Sequence, residues 1–66
     1  MTNYQLGELY YLEQEYEEAL FHYKKALEEF PESGKILYQI GYTYQQLKNY
    51  SKACEYYEEV YFWMPT

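Results

Sequence analysis

The sequence predicts an all-α fold: a solenoid of two helix–turn–helix repeats, four antiparallel helices in all, with no separate capping helix. Three observations predict it. Apolar residues recur at helical spacing almost from end to end. Helix-breaking signals fall at only three places, 13–16, 31–34 and 48–51. The second half of the chain repeats the first at a spacing of 34 residues.

The elements follow in order. A first helix is expected near 2–13, with Leu6 and Tyr10 flanking Gly7. A glycine inside a helix costs about 1 kcal/mol relative to alanine, so Gly7 needs a reason. A second helix is expected near 17–29. Glu17 and Glu18 complement the positive end of its dipole, and Ala19, Tyr23 and Ala26 share one stripe at i, i+4 and i+7. Pro31 stops this helix, since it lacks an N–H and clashes with the preceding turn, and Gly34 is expected to supply freedom for the reversal. The third and fourth helices are expected near 35–47 and 51–63. Connections this short make sequential helices antiparallel neighbours.

The repeat is visible residue by residue. Tyr4 recurs as Tyr38, Gln5 as Gln39, Gly7 as Gly41, Tyr10 as Tyr44, Tyr16 as Tyr50, Ala19 as Ala53, Tyr23 as Tyr57 and Pro31 as Pro65. The unit boundaries are therefore 1–33 and 34–66 of a single domain. Gly7 and Ala19 are small residues at facing positions, expected to let two helix backbones come close. The expected packing set is Leu6, Gly7, Tyr10, Ala19, Tyr23 and Ala26 in the first copy. Its counterpart in the second is Ile40, Gly41, Tyr44, Ala53, Tyr57 and Val60.

These residues resemble the tetratricopeptide repeat, whose pattern is W-x2-L-G-x2-Y, then A-x3-F, then P, within 34 residues. Leu6, Gly7, Tyr10, Ala19, Tyr23, Ala26 and Pro31 match in the first copy, and Ile40, Gly41, Tyr44, Ala53, Tyr57 and Pro65 in the second. The tryptophan place holds Asn3 and Leu37, which implies a poorly anchored, fraying start to the first helix. The turn between paired helices commonly carries glycine in this family. Here it holds Gln14 and Lys48, which implies strain at both turns.

Composition narrows the function. The chain has eleven glutamates, five lysines, no Asp and no Arg, for a net charge of −6. Nucleic acid, phosphate and anionic membranes call for clustered cations, so none is an expected partner. No signal peptide or apolar run near about 18 residues is present, so the expected location is cytoplasmic. Nucleophilic catalysis needs a nucleophile, a base and an orienting group. His22 and Cys54 are single and unaccompanied, with Cys54 expected as a small buried hydrophobe and His22 as exposed or half-buried. The carboxylates Glu13, Glu15, Glu17 and Glu18 read as a solvated turn and not as a calcium loop. No enzyme, cofactor or metal site is expected.

The resemblance implies a concave groove, lined by the first helix of each pair, that holds peptides. Its lining would be Tyr4, Gln5, Glu8, Tyr11 and Leu12, then Lys35, Tyr38, Gln39, Tyr42, Gln45 and Gln46. Spacing supports this independently. Tyr4, Glu8 and Tyr11 fall at i, i+4 and i+7 on a face other than the Leu6–Tyr10 stripe, and Tyr38, Tyr42 and Gln45 repeat it. One subtype of the family grips chaperone C-terminal carboxylates with a Lys/Asn/Arg clamp. The corresponding places here hold Tyr4, Glu8, Lys35, Tyr38 and Gln39, with one cation among them. A neutral or mildly basic segment carrying aromatic or proline side chains suits this lining better.

The end of the chain departs from the first repeat. Where that repeat closes on Ala26, Leu27, Glu28, Glu29 and Phe30, the second closes on Val60, Tyr61, Phe62, Trp63 and Met64. Tyr61, Phe62, Trp63 and Met64 are therefore expected to be buried against a next repeat or, in isolation, against another copy in a homo-oligomer. The expectation overall is a non-catalytic protein–protein interaction module within a longer array. The alternative is a self-associating structural element.

Overall fold

The computed structural model describes residues 1–63, and of Trp63 only the backbone. Four helices form: α1 (Asn3–Leu12), α2 (Tyr16–Glu29), α3 (Gly34–Gln46) and α4 (Tyr50–Trp63). Each lies within one residue of the predicted bounds. α1 packs on α2, α2 on α3 and α3 on α4, so two helix pairs stack as an all-α solenoid.

The core lies where the pairs meet. α2 contributes Ala19, Leu20, Tyr23 and Ala26, α3 contributes Ile36, Leu37, Ile40 and Tyr44, and α4 adds Ala53. Thr43 is buried with them, and its hydroxyl donates to the Gln39 carbonyl oxygen at 2.7 Å, so no polar atom of that side chain is stranded.

Helix ends explain the turns. At the end of α1, Gln14 N–H donates to the Tyr11 carbonyl at 2.9 Å and Glu15 N–H to the Tyr10 carbonyl at 2.8 Å. Lys48 and Asn49 make the same pair of bonds back to Gln45 and Tyr44, each at 2.9 Å. This is the Schellman pattern, whose turning residue is left-handed and usually glycine. Gln14 and Lys48 occupy it with φ of 63°. The strain implied at both turns is present, because a Cβ disfavours that region.

Three expectations need correction. The start of α1 does not read as poorly anchored. Thr2 Oγ1 accepts from Gln5 N–H at 3.1 Å, while Gln5 Oε1 accepts from Thr2 N–H at 3.0 Å, a capping box that satisfies two end donors. Gly34 does not provide the reversal through a left-handed φ, since no glycine has a positive φ. It opens α3 as an ordinary helical residue, and Ser33 Oγ caps that helix by accepting from Ile36 N–H at 3.3 Å. Cys54 is exposed and not buried. It sits one repeat after Leu20, which α3 covers, whereas among the described residues no helix packs on the corresponding face of α4.

The reason for the glycines is also sharper than close backbone approach. A Cβ on Gly7 would stand 2.6 Å from Tyr23 Cδ1, and one on Gly41 would stand 2.9 Å from Tyr57 Cε1. The space each glycine leaves is filled by the tyrosine ring of its partner helix. At Gly41 the Ala53 carbonyl also comes within 3.4 Å of that position, so the small-residue pair brings the backbones together there as well.

Candidate functional site

Residues of α1 and α3 meet across a cleft, with Tyr11 of one against Tyr42 of the other, and α2 contributes to its lining. Glu8, Tyr11 and Leu12 of α1, Tyr38, Gln39 and Tyr42 of α3, and Tyr23 of α2 line a cleft of about 310 Å3. The i, i+4, i+7 spacing puts Tyr4, Glu8 and Tyr11 on one α1 face, and the 34-residue shift puts Tyr38 and Tyr42 on the matching face of α3.

The tyrosines form a continuous row. Ring centroids are 5.4 Å apart for Tyr16–Tyr11, 5.8 Å for Tyr11–Tyr42, 6.3 Å for Tyr42–Tyr38 and 5.6 Å for Tyr38–Tyr57. These are attractive ring separations. Tyr38 and Tyr42 are 50% and 36% exposed, so the row is open to solvent in its middle. Burial, a hydrogen bond with Tyr42 and the neighbouring rings push the Tyr11 hydroxyl up to about 12. Burial likewise raises Tyr23, with Tyr4 and the Glu8 carboxylate adding to it. The Tyr4 hydroxyl is raised by burial and then by Glu8. Gln39 lies near enough to oppose that shift, yet the hydroxyl completes no hydrogen bond and is buried. All of these phenols stay neutral and keep their protons to donate at ordinary pH.

The remaining groove candidates spread outward. Tyr4 and Lys35 line a neighbouring cleft of about 410 Å3 with Ala26, Phe30 and Ile36, and Lys35 Nζ stands 5.0 Å over the Tyr4 ring. Gln5 is exposed and its side chain is engaged in the α1 capping box. Gln45 accepts a hydrogen bond from the Tyr57 hydroxyl at 2.9 Å, and Gln46 is exposed beside it. The sequence pattern assigns Tyr23 and Tyr57 to repeat packing only. The structure gives Tyr23 a second place as the cleft floor, and Tyr57 continues the ring row. Their signal was available, since both are tyrosines one helix turn beyond the small residues Ala19 and Ala53.

Among the packing candidates, Gly7, Ala19, Tyr23, Ala26, Ile40, Gly41, Tyr44 and Ala53 are buried, and Leu6, Tyr10, Tyr57 and Val60 half-buried. Tyr61 and Phe62 are 74% and 75% exposed. The Trp63 side chain, Met64 and Pro65 lie outside the described residues. His22 is half-buried, stacked on Tyr10 at 5.3 Å, with Nδ1 3.3 Å from Asn3 Oδ1, a bond that places the hydrogen on Nδ1. On the opposite face Lys24 Nζ stands 5.2 Å over Tyr44 and Lys25 Nζ 5.1 Å over Phe21. Among the described residues no group of three or more His, Cys, Asp or Glu gathers as a metal site. No helix there is long and apolar enough to cross a membrane.

Comparison with known sequences agrees with the two-repeat fold. Tetratricopeptide repeat profiles match residues 2–33 and again 34–61. The chain is 43% identical over 53 residues to mouse (Mus musculus) tetratricopeptide repeat protein 21B. That match covers 80% of this chain and 4% of the relative, so the chain spans a small fraction of that protein's length.

Proposed function

This chain belongs to the tetratricopeptide repeat family, and on that premise we propose that it is a non-catalytic module of a longer repeat array that binds a peptide segment across the α1–α3 face. Repeats of this family generally mediate protein–protein interaction. The observation that carries the finer reading is the cleft of Glu8, Tyr11, Leu12, Tyr23, Tyr38, Gln39 and Tyr42. Tyrosine offers rigid contact area with a hydrogen-bonding tip, at little loss of side-chain freedom. This face differs chemically from a carboxylate clamp: of the residues at the clamp places only Lys35 is cationic, and it already sits on Tyr4.

The test is selection of peptides on the immobilised chain, followed by titration of variants. Tyr38→Ala with Tyr42→Ala should weaken the selected peptides about tenfold or more, the scale of hot-spot aromatics. Phe21→Ala on the opposite face should leave them within about twofold. The reverse pattern would move the site off this face.

The exposed Tyr61 and Phe62 favour a second reading, self-association through α4. Sedimentation over about a hundredfold concentration range reads it, because dimer population follows concentration by mass action. A constant monomer, with Tyr61→Glu sedimenting identically, would remove this reading.

A further inference from the structure

Resting on the peptide-groove reading, we infer that the cleft between α1 and α3 holds a lysine or arginine side chain of the bound segment, seated against the rings of Tyr11, Tyr38 and Tyr42 and facing the Glu8 carboxylate. Charge is the first argument. Glu8 is the one charged residue among those lining the cleft. A wholly apolar occupant would strip water from that carboxylate without replacing it, and an acidic occupant would add repulsion. The net charge of −6 draws cations toward the surface generally.

The second argument comes from the chain's own lysines. Three of the five rest over aromatic rings, Lys24 on Tyr44, Lys25 on Phe21 and Lys35 on Tyr4, with Nζ 5.0 to 5.2 Å from the centroids. Ammonium groups within about 6 Å of a ring centroid are attracted by its negative face. Tyr4 belongs to the same α1 stripe as Glu8 and Tyr11, so the groove face already displays one filled cation seat. Among the described residues no lysine of the chain occupies the next one, on Tyr11, Tyr38 and Tyr42. A space of about 310 Å3 accommodates a long aliphatic stem, which the rings and Leu12 would cover.

The experiment uses the full chain and three blocked peptides, Gly-Pro-Xaa-Pro-Gly, in which Xaa is lysine, norleucine or glutamate. Side-chain resonances of Tyr11, Tyr38 and Tyr42 are followed during titration. The lysine peptide should shift them and bind about three- to fivefold more tightly than the norleucine peptide, the scale of an exposed cation–ring contact. The glutamate peptide should be weakest. Glu8→Gln, at an exposed position, should shrink the lysine preference, and Tyr42→Leu should shrink it further than Tyr42→Phe. Norleucine binding in the cleft as tightly as lysine overturns the inference while leaving the groove reading in place. Shifts confined to the opposite face, or no shift in the cleft up to about 10 mM lysine peptide, overturn both.

Discussion

The two repeats share their key residues at a 34-residue spacing, yet they are buried very differently. Ile40 is 0% exposed while Leu6, its counterpart, is half-buried. Leu20 is 5% exposed while Cys54 is open to solvent. Tyr23 is 1% exposed while Tyr57 is half-buried. At these positions burial follows place in the stack, whereas the seam within each helix pair, Gly7 with Ala19 and Gly41 with Ala53, is buried in both copies. The inner helices α2 and α3 are covered on two sides and make one shared core. The outer helices α1 and α4 contribute one covered face each.

Substitution at paired positions can break this comparison. The largest contrast is Ile40→Ala against Leu6→Ala. Removing a fully buried aliphatic side chain costs about 2–5 kcal/mol, and chains this short hold about 3–5 kcal/mol in all. Ile40→Ala should lose its cooperative thermal transition in circular dichroism. Leu6→Ala should keep one, with a loss near 1 kcal/mol. Equal losses would show that the repeats bear load alike.

The glycines give the next contrast. In Gly7→Ala the new methyl meets a ring that is buried and cannot retreat, and overpacking of this kind costs about 1–3 kcal/mol. In Gly41→Ala the half-buried Tyr57 ring has room to turn outward, and alanine's better helix propensity, about 1 kcal/mol, offsets the remainder. Urea midpoints should fall clearly for the first and stay near the parent for the second. Thr2→Ala sharpens the picture at the outer edge. It removes the capping box and should cost about 1 kcal/mol, seen as faster amide exchange confined to α1.

The last contrast is alkaline. The hydroxyls of Tyr4, Tyr11, Tyr23, Tyr56 and Tyr57 are all raised by burial above the ordinary tyrosine value of 10.0. The unfolded chain therefore sheds these protons first. Their contribution is complete below pH 10 and is lost as pH rises from there toward about 12, the value reached by Tyr11. A urea midpoint that holds steady between those limits would contradict the burial of the row.

Much of this was legible beforehand, for identifiable reasons. Helix bounds followed from Pro31, the short breaks and the apolar period. The strained turns followed from finding Gln14 and Lys48 where glycine is usual. The T-x-x-Q start at Thr2 and Gln5 is a capping signature present in the sequence, and it outweighs the missing tryptophan at Asn3. What lay out of reach was burial that depends on a third element. Nothing local distinguishes Leu20 from Cys54 as places, because the difference is made by α3 lying over one of them. The side-chain bond between His22 and Asn3 spans nineteen residues and carries no sequence signal of its own. The groove candidates were found through the second aromatic stripe. The cleft floor carries no separate signal, because one residue, Tyr23, both packs against Gly7 and lines the cleft.

The lysines resting on rings have a consequence for ionic strength. A helical protein held by lysine–glutamate pairs loses support when counterions screen them. Here three lysines lean on aromatic faces, and the glutamates crowd near the turns, at Glu13, Glu15, Glu17 and Glu18 and again at Glu28, Glu29 and Glu32. The dominant long-range term is mutual repulsion within a chain of net charge −6. Screening weakens that repulsion while leaving ring burial untouched. The fold should therefore gain stability as sodium chloride is added through the range where the Debye length falls from about 30 to about 10 Å.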